Sequence, residues 1–108
     1  MRFALLAYAE AAPELTDRIR DRLTASGELV HLVELADGGH TRTLSTGAAG
    51  VLARDGELDE PGRRLVAFGI VDCESYDRAT HLAARLVSGL PGAVAVRPVM
   101  TTTGSLDV

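Results

Sequence analysis

The chain has 108 residues, 46% of them hydrophobic and 24% charged, a size and balance that fit one globular domain and exclude a disordered segment. Its net charge is -4, with no basic run, which argues against nucleic acid or an anionic membrane as the main partner. Every basic residue is arginine, so Schiff-base lysine chemistry and a P-loop lysine are ruled out.

The first segment, Phe3 to Ala9, is short and apolar and reads as a buried strand. Its run is too short for a signal peptide or a membrane span. Pro13 suits the first turn of a helix, where its missing N–H costs nothing. Leu15, Ile19 and Leu23 then recur every four residues and give that helix one apolar stripe, and Gly27 is placed to cap it. Leu29 to Leu35 reads as the second strand, broken by Gly38 and Gly39. Thr41 to Asp55 reads as an inserted hairpin, two short strands around the turn at Gly47–Gly50.

Leu65 to Val71 is the next strand. Ser75 caps the helix that follows, and Asp77 sits near its positive dipole end. Ala79, Leu82, Ala83 and Leu86 form its apolar stripe, and Ser88-Gly89 and Pro91-Gly92 end it. Ala93 to Val99 is the last strand. One domain is expected over residues 1–100, with a polar tail over 101–108. Cys73 is the sole cysteine, so no internal disulfide exists and nothing points to secretion; the cytoplasm is the expected compartment.

The order is β-α-β, an inserted hairpin, then β-α-β. Two such units interlocked make the split βαβ, or ferredoxin-like, α+β sheet. Two helices cover only one face of four strands. Yet FALLAYA, LVHLV, LVAFGIV and AVAV are apolar on both faces, which asks for cover on both sides. A second copy of the chain is the simplest cover, so a homodimer is expected.

The stretch Asp55-Gly56, Glu60, Leu65, Asp72, Ser75, Asp77, Ala79 and Ala83-Ala84-Arg85, closing with Val96-Arg97-Pro98-Val99-Met100, resembles the DGPF-type branch of the YCII-related family. The opening ALLAY and the segment Ser26 to Val30 fit the same pattern. The resemblance implies a ferredoxin-like fold that dimerises as an α+β barrel. For some relatives it implies a dehydrohalogenase- or isomerase-like activity using a His–Asp pair. The signature reads DGEL here, with Glu57 for proline and Leu58 for phenylalanine. Gly62 stands for the usual lysine, and Ala95 for the usual acid before VRPV. These departures imply a pocket more apolar than in relatives.

His31 lies inside the second strand, on the side of Leu29, Val33 and Leu35 by simple alternation. It reads as a general acid or base, or else as a semi-buried histidine hydrogen-bonded across the dimer. Asp55-Gly56 is a turn dipeptide whose aspartate either bonds its own backbone or orients a histidine. Glu60 is a solvated loop charge or a pocket acid. Arg97, beside apolar strand residues, needs an anion; it holds an acidic ligand or pairs with Glu34 or Asp72. Tyr8 donates its phenol to a ligand or caps the core. His40 belongs to a Gly-rich loop and His81 to a helix surface.

No GxSxG, GxGxxG or paired CxxC occurs, so no cofactor is expected, and no metal. Small-molecule binding by a dimer, with cofactor-free isomerase, lyase or cyclase chemistry, is the function expected. A non-catalytic ligand-binding or regulatory accessory protein is the alternative. A histidine and an acid sharing one cavity favour the enzyme; a cavity of Leu, Val and Ala alone favours the binder.

Overall fold

A computed structural model describes residues 1–10, 13–58, 64–88 and 92–104. In chain order these form β1 (Arg2–Ala9), α1 (Pro13–Ser26), β2 (Leu29–Glu34), a 3₁₀ turn at Gly38–His40, β3 (Arg42–Gly47), β4 (Gly50–Asp55), β5 (Arg64–Asp72), α2 (Tyr76–Val87) and β6 (Gly92–Pro98). Four strands make one antiparallel sheet in the order β2-β5-β1-β6, and β3 with β4 makes a separate two-stranded hairpin. Each βα unit places its second strand beyond a strand of the other unit. The chain is therefore α+β, with an order compatible with a ferredoxin-like fold.

One face of the sheet meets the helices. Phe3, Leu5, Ala7 and Ala9 alternate as the buried residues of β1, the period-2 pattern of a strand with unequal faces. On β5, Val71 lies opposite Phe3 and Ala67 opposite Ala7. Leu23 of α1 and Ala79, Leu82, Ala83 and Leu86 of α2 close over them, with Val94 and Val96 of β6 packed at the margin. Leu15 and Ile19, the rest of the stripe expected on α1, have side chains outside the described set.

Local signals set the helix ends. Ser75 Oγ accepts from the Arg78 N–H at 3.0 Å, and Asp77 occupies the first turn, satisfying donors that the helix leaves unpaired. Gly27 adopts φ +73°, the left-handed conformation that ends a helix without a Cβ penalty. Arg78 grips both oxygens of Glu28, with Nε at 3.2 and 3.1 Å and a terminal nitrogen at 2.6 Å from Oε1. This ties α2 to the start of β2. The grip holds the Glu28 carboxyl below its ordinary range, hydrogen bonding outweighing partial burial, and raises Arg78.

Two β-bulges decide which side chains face outward. On β5 the register passes from Ala67 opposite Ala7 to Leu65 opposite Tyr8, leaving Val66 as the extra residue. Val66 then joins the helix-side core. On β2 it passes from Leu29 opposite Val71 to His31 opposite Ile70, leaving Val30 extra. A bulge inserts one residue and reverses the alternation beyond it. His31 is therefore on the face opposite Leu29, not on the same side as the alternation predicts. It shares that face with Val33, and Glu34 points to the helix side.

The second face carries neither described helix. Residues directly opposite in an antiparallel pair share a face, so the register gives its rows. One row runs His31, Ile70, Ala4, Arg97; the next runs Val33, Phe68, Leu6, Ala95; the third joins Leu65, Tyr8 and Ala93. Most of these side chains are only half-buried within one chain. The hairpin packs substantially only on itself, and the molecule extends 47 Å along its longest axis. No helix among the described residues is long and apolar enough to cross a membrane.

Candidate functional site

The inserted hairpin creates the candidate site at its base. The Gly56 N–H bonds Thr41 O at 2.9 Å, and Thr43 Oγ1 donates to Gly56 O at 2.7 Å. These bonds draw the segment before β3 against the segment after β4. Asp37 Oδ1 accepts from Gly39 N at 3.0 Å and starts the 3₁₀ turn that presents His40. Between the two segments lies an open cavity of about 430 Å³.

Its apolar wall comes from Leu35, Leu58 and Leu65; its polar groups come from Asp37, His40, Glu57 and the hydroxyls of Thr41 and Thr43. Glu57 is the carboxylate fixed most firmly. A Cβ built on Gly38 would overlap its carboxyl group, so the glycine leaves the space in which Glu57 lies. Arg64 Nε approaches Glu57 Oε2 at 2.8 Å, though at an angle outside hydrogen-bond geometry, and that buried nitrogen has no hydrogen bond among the described residues. Arg54 also reaches Glu57, a terminal nitrogen donating to its backbone O at 3.4 Å. The described residues lining the cavity nevertheless include two acids, Asp37 and Glu57, and no arginine, so the lining itself carries a negative bias.

The residues singled out from sequence are dispersed. His31 is half-buried on the open sheet face, at one end of the row that ends in Arg97. Three strand spacings separate those two residues, about 14 Å. Arg97 is exposed and has neither of its expected partners. Glu34 pairs with Arg20, and Asp72 pairs with the Met1 amino group at 3.1 Å and with Arg2 at 3.9 Å. Helix α1 and the chain start lie nearer to those acids than the edge strand β6 does. Tyr8 is half-buried on the same face, two rows from His31.

Asp55 stands at the end of β4, 89% exposed, 3.3 Å from Arg42 across the hairpin. Its ion pair is with that arginine and not with His31. Glu60 and Gly62 lie outside the described residues. Cys73 is buried in the core, its Sγ 3.5 Å from Ser75 O, as suits a small inert side chain. Among the described residues no three His, Cys, Asp or Glu side chains are grouped to hold a metal ion.

No motif marked His40, and Glu57 stood in the DGEL stretch only as a departure from the signature, with no role attached. The signal lay in the hairpin. Pairing Arg42 with Asp55 brings the residues just outside it, at 37–41 and 56–58, side by side.

The site combines a histidine, two carboxylates and two hydroxyls with an aliphatic wall. That combination can bind a small molecule by its apolar body while a polar group exchanges a proton or hydrogen bond. No protein-family model and no curated protein matches the chain.

Proposed function

We propose that the chain works as a homodimer that binds a small, largely apolar molecule in the cavity at the hairpin base. There it performs cofactor-independent acid–base chemistry, with His40 as the proton-transfer group and Glu57 as the fixed carboxylate. The observation that carries this reading is the meeting of His40 with Asp37 and Glu57 against Leu35, Leu58 and Leu65 in one concavity. A cavity lined by aliphatic residues alone would serve a passive binder. The resemblance to DGPF-type YCII-related proteins supports a small-molecule role in a dimeric α+β barrel.

The homodimer reading rests on the open sheet face. Leu6, Val33, Phe68 and Ile70 form an aliphatic and aromatic strip on the side that neither described helix covers. Ile70 is already buried within one chain and Leu6, Val33 and Phe68 are half-buried; the apolar area they still show to water costs roughly 25 cal/mol per Å². A second copy would cover it, and His31 would then belong to the interface. Leu65, on this face, also lines the cavity, so assembly and ligand binding touch the same residue.

The test uses hexylamine, hexanol and hexanoate as ligand probes, titrated while backbone amide resonances are followed. The amine and alcohol should shift the amides of Ala36, Gly38, Thr41 and Leu58, and hexanoate should bind most weakly because Asp37 and Glu57 repel it. Glu57→Gln should narrow the difference between amine and carboxylate. Failure of all three probes to move these amides at millimolar concentration would remove the cavity as the binding site.

A further inference from the structure

The β3–β4 hairpin has an apolar side with nothing among the described residues beneath it. In its register Leu44 lies opposite Ala53, Thr46 opposite Val51 and Arg42 opposite Asp55. Leu44, Val51 and Ala53 therefore form the outer part of one face together with Thr46, and the exposed Arg42–Asp55 ion pair edges that face at the hairpin base. Leu44 is 63% exposed and Val51 68%. The other face carries Thr43, Ser45 and Arg54 beside a single large apolar side chain, Leu52. An isolated two-stranded hairpin is marginally stable in water at best. A projecting one with its apolar side bare therefore needs a surface to lie on.

We infer that this hairpin is an arm that clasps a second copy of the chain, laying Leu44, Val51 and Ala53 on the partner while the partner's arm does the same in return. The inference rests on the homodimer reading above and adds the element that makes the dimer large enough. Four strands at their usual spacing give the open sheet face a footprint of about 19 by 23 Å, near 430 Å². A stable dimer buries about 800 Å² on each partner. The sheet face alone supplies about half of that area. Each hairpin face adds about 200 Å². The copy's own arm and the surface under its partner's arm then bring the total close to the standard size. Two-fold symmetry satisfies both unpartnered surfaces at once, because each copy brings one arm and one open face.

Burying a leucine or valine side chain is worth enough to change Kd by at least about tenfold, which sets the expected effect. Sedimentation equilibrium is run on the wild type, on the double variant Leu44→Asp with Val51→Asp, and on Phe68→Arg. In parallel, hydrogen exchange of the wild type is followed against protein concentration. The arm variant should dimerise at least about tenfold more weakly, and amides of residues 42–55 should slow as the dimer forms. The exchange measurement needs no variant, so a misfolded hairpin cannot decide the outcome. If Phe68→Arg dissociates while the arm variant dimerises like the wild type, the clasp is wrong and the sheet-face dimer stands. The clasp is equally wrong if arm amides exchange equally fast at all concentrations, since the arm would then serve another partner. A wild type that is monomeric at high micromolar concentration overturns both.

Discussion

Gly38→Ala probes how the cavity is held, because the space a methyl would need is occupied by the Glu57 carboxylate. The backbone at Gly38 lies outside the left-handed region, so alanine is tolerated there for the chain itself. The cost falls on Glu57, which must swing outward and leave Arg64. That pair is intermediate in exposure, 18% for the Glu57 side chain and 41% for Arg64. It should be worth about 1–2 kcal/mol, between the exposed and the buried limits. Lowered entropy of the unfolded chain returns about 0.4–1 kcal/mol on exchanging glycine for alanine.

Gly38→Ala should therefore lose up to about 1.6 kcal/mol in urea unfolding, and in a Glu57→Ala background the same change should stabilise by about 0.4–1 kcal/mol. The two substitutions thus couple by about 1–2 kcal/mol in a double-mutant cycle. Hexylamine binding should weaken in Gly38→Ala, since the displaced carboxylate no longer faces the cavity. An equal loss of stability from Gly38→Ala in both backgrounds would refute the packing of Glu57 on Gly38 as the cause.

Glu28→Gln should lower the melting temperature at neutral pH and flatten its acid limb. The carboxyl is held below its ordinary 4.5 by Arg78, so the stability it contributes is present above that value and lost as pH falls through the lowered one; acid limbs of equal slope in wild type and variant would count against the pairing. Ser75→Ala removes the acceptor of the Arg78 N–H and should cost about 1 kcal/mol in urea unfolding. Leu86→Ala, at a side chain 1% exposed between α2 and the sheet, should cost about 2–5 kcal/mol, with a calorimetric midpoint unchanged from wild type as the contrary result. His31→Leu should alter dimerisation and change hexylamine affinity only through its coupling to assembly, whereas His40→Ala should weaken the amine at every protein concentration.

Features written in a few neighbouring residues were legible in the chain alone. The Ser75 cap, the Gly27 stop, the α2 stripe and the hairpin around Gly47–Gly50 each rest on local chemistry. The strand order followed from them, because two βαβ units have few ways to interlock. What escaped was whatever one inserted residue decides. Val30 and Val66 are valines among valines, and nothing in their neighbours announces that the pleat slips there. That slip separates His31 from Leu29. The pairing expected for Arg97 failed for a related reason: the acids it was matched with are claimed by Arg20, Arg2 and the amino terminus, groups whose nearness depends on the fold.

Stability and function are divided between the two faces of the sheet. Nearly all the fully buried residues lie between the helices and one face, where Phe3, Leu23, Val71 and Leu86 are the largest. That core does not depend on what faces outward from the other side. The open face and the hairpin hold most of the residues left without a use by the core: His31, Arg97, Tyr8, Leu44 and Val51. Substitutions there that keep the strand pattern should leave the melting temperature of a single chain nearly unchanged, because they remove few buried contacts. They should still alter assembly and ligand affinity, since those draw on the exposed side. Leu65 is where the division fails. It belongs to the open face by its register opposite Tyr8, and it also lines the cavity. A second copy seated on that face would press on the cavity wall, and a ligand filling the cavity would press back. Ligand and dimer should therefore bind cooperatively or competitively, and not independently, by the reciprocity that binds any two linked equilibria.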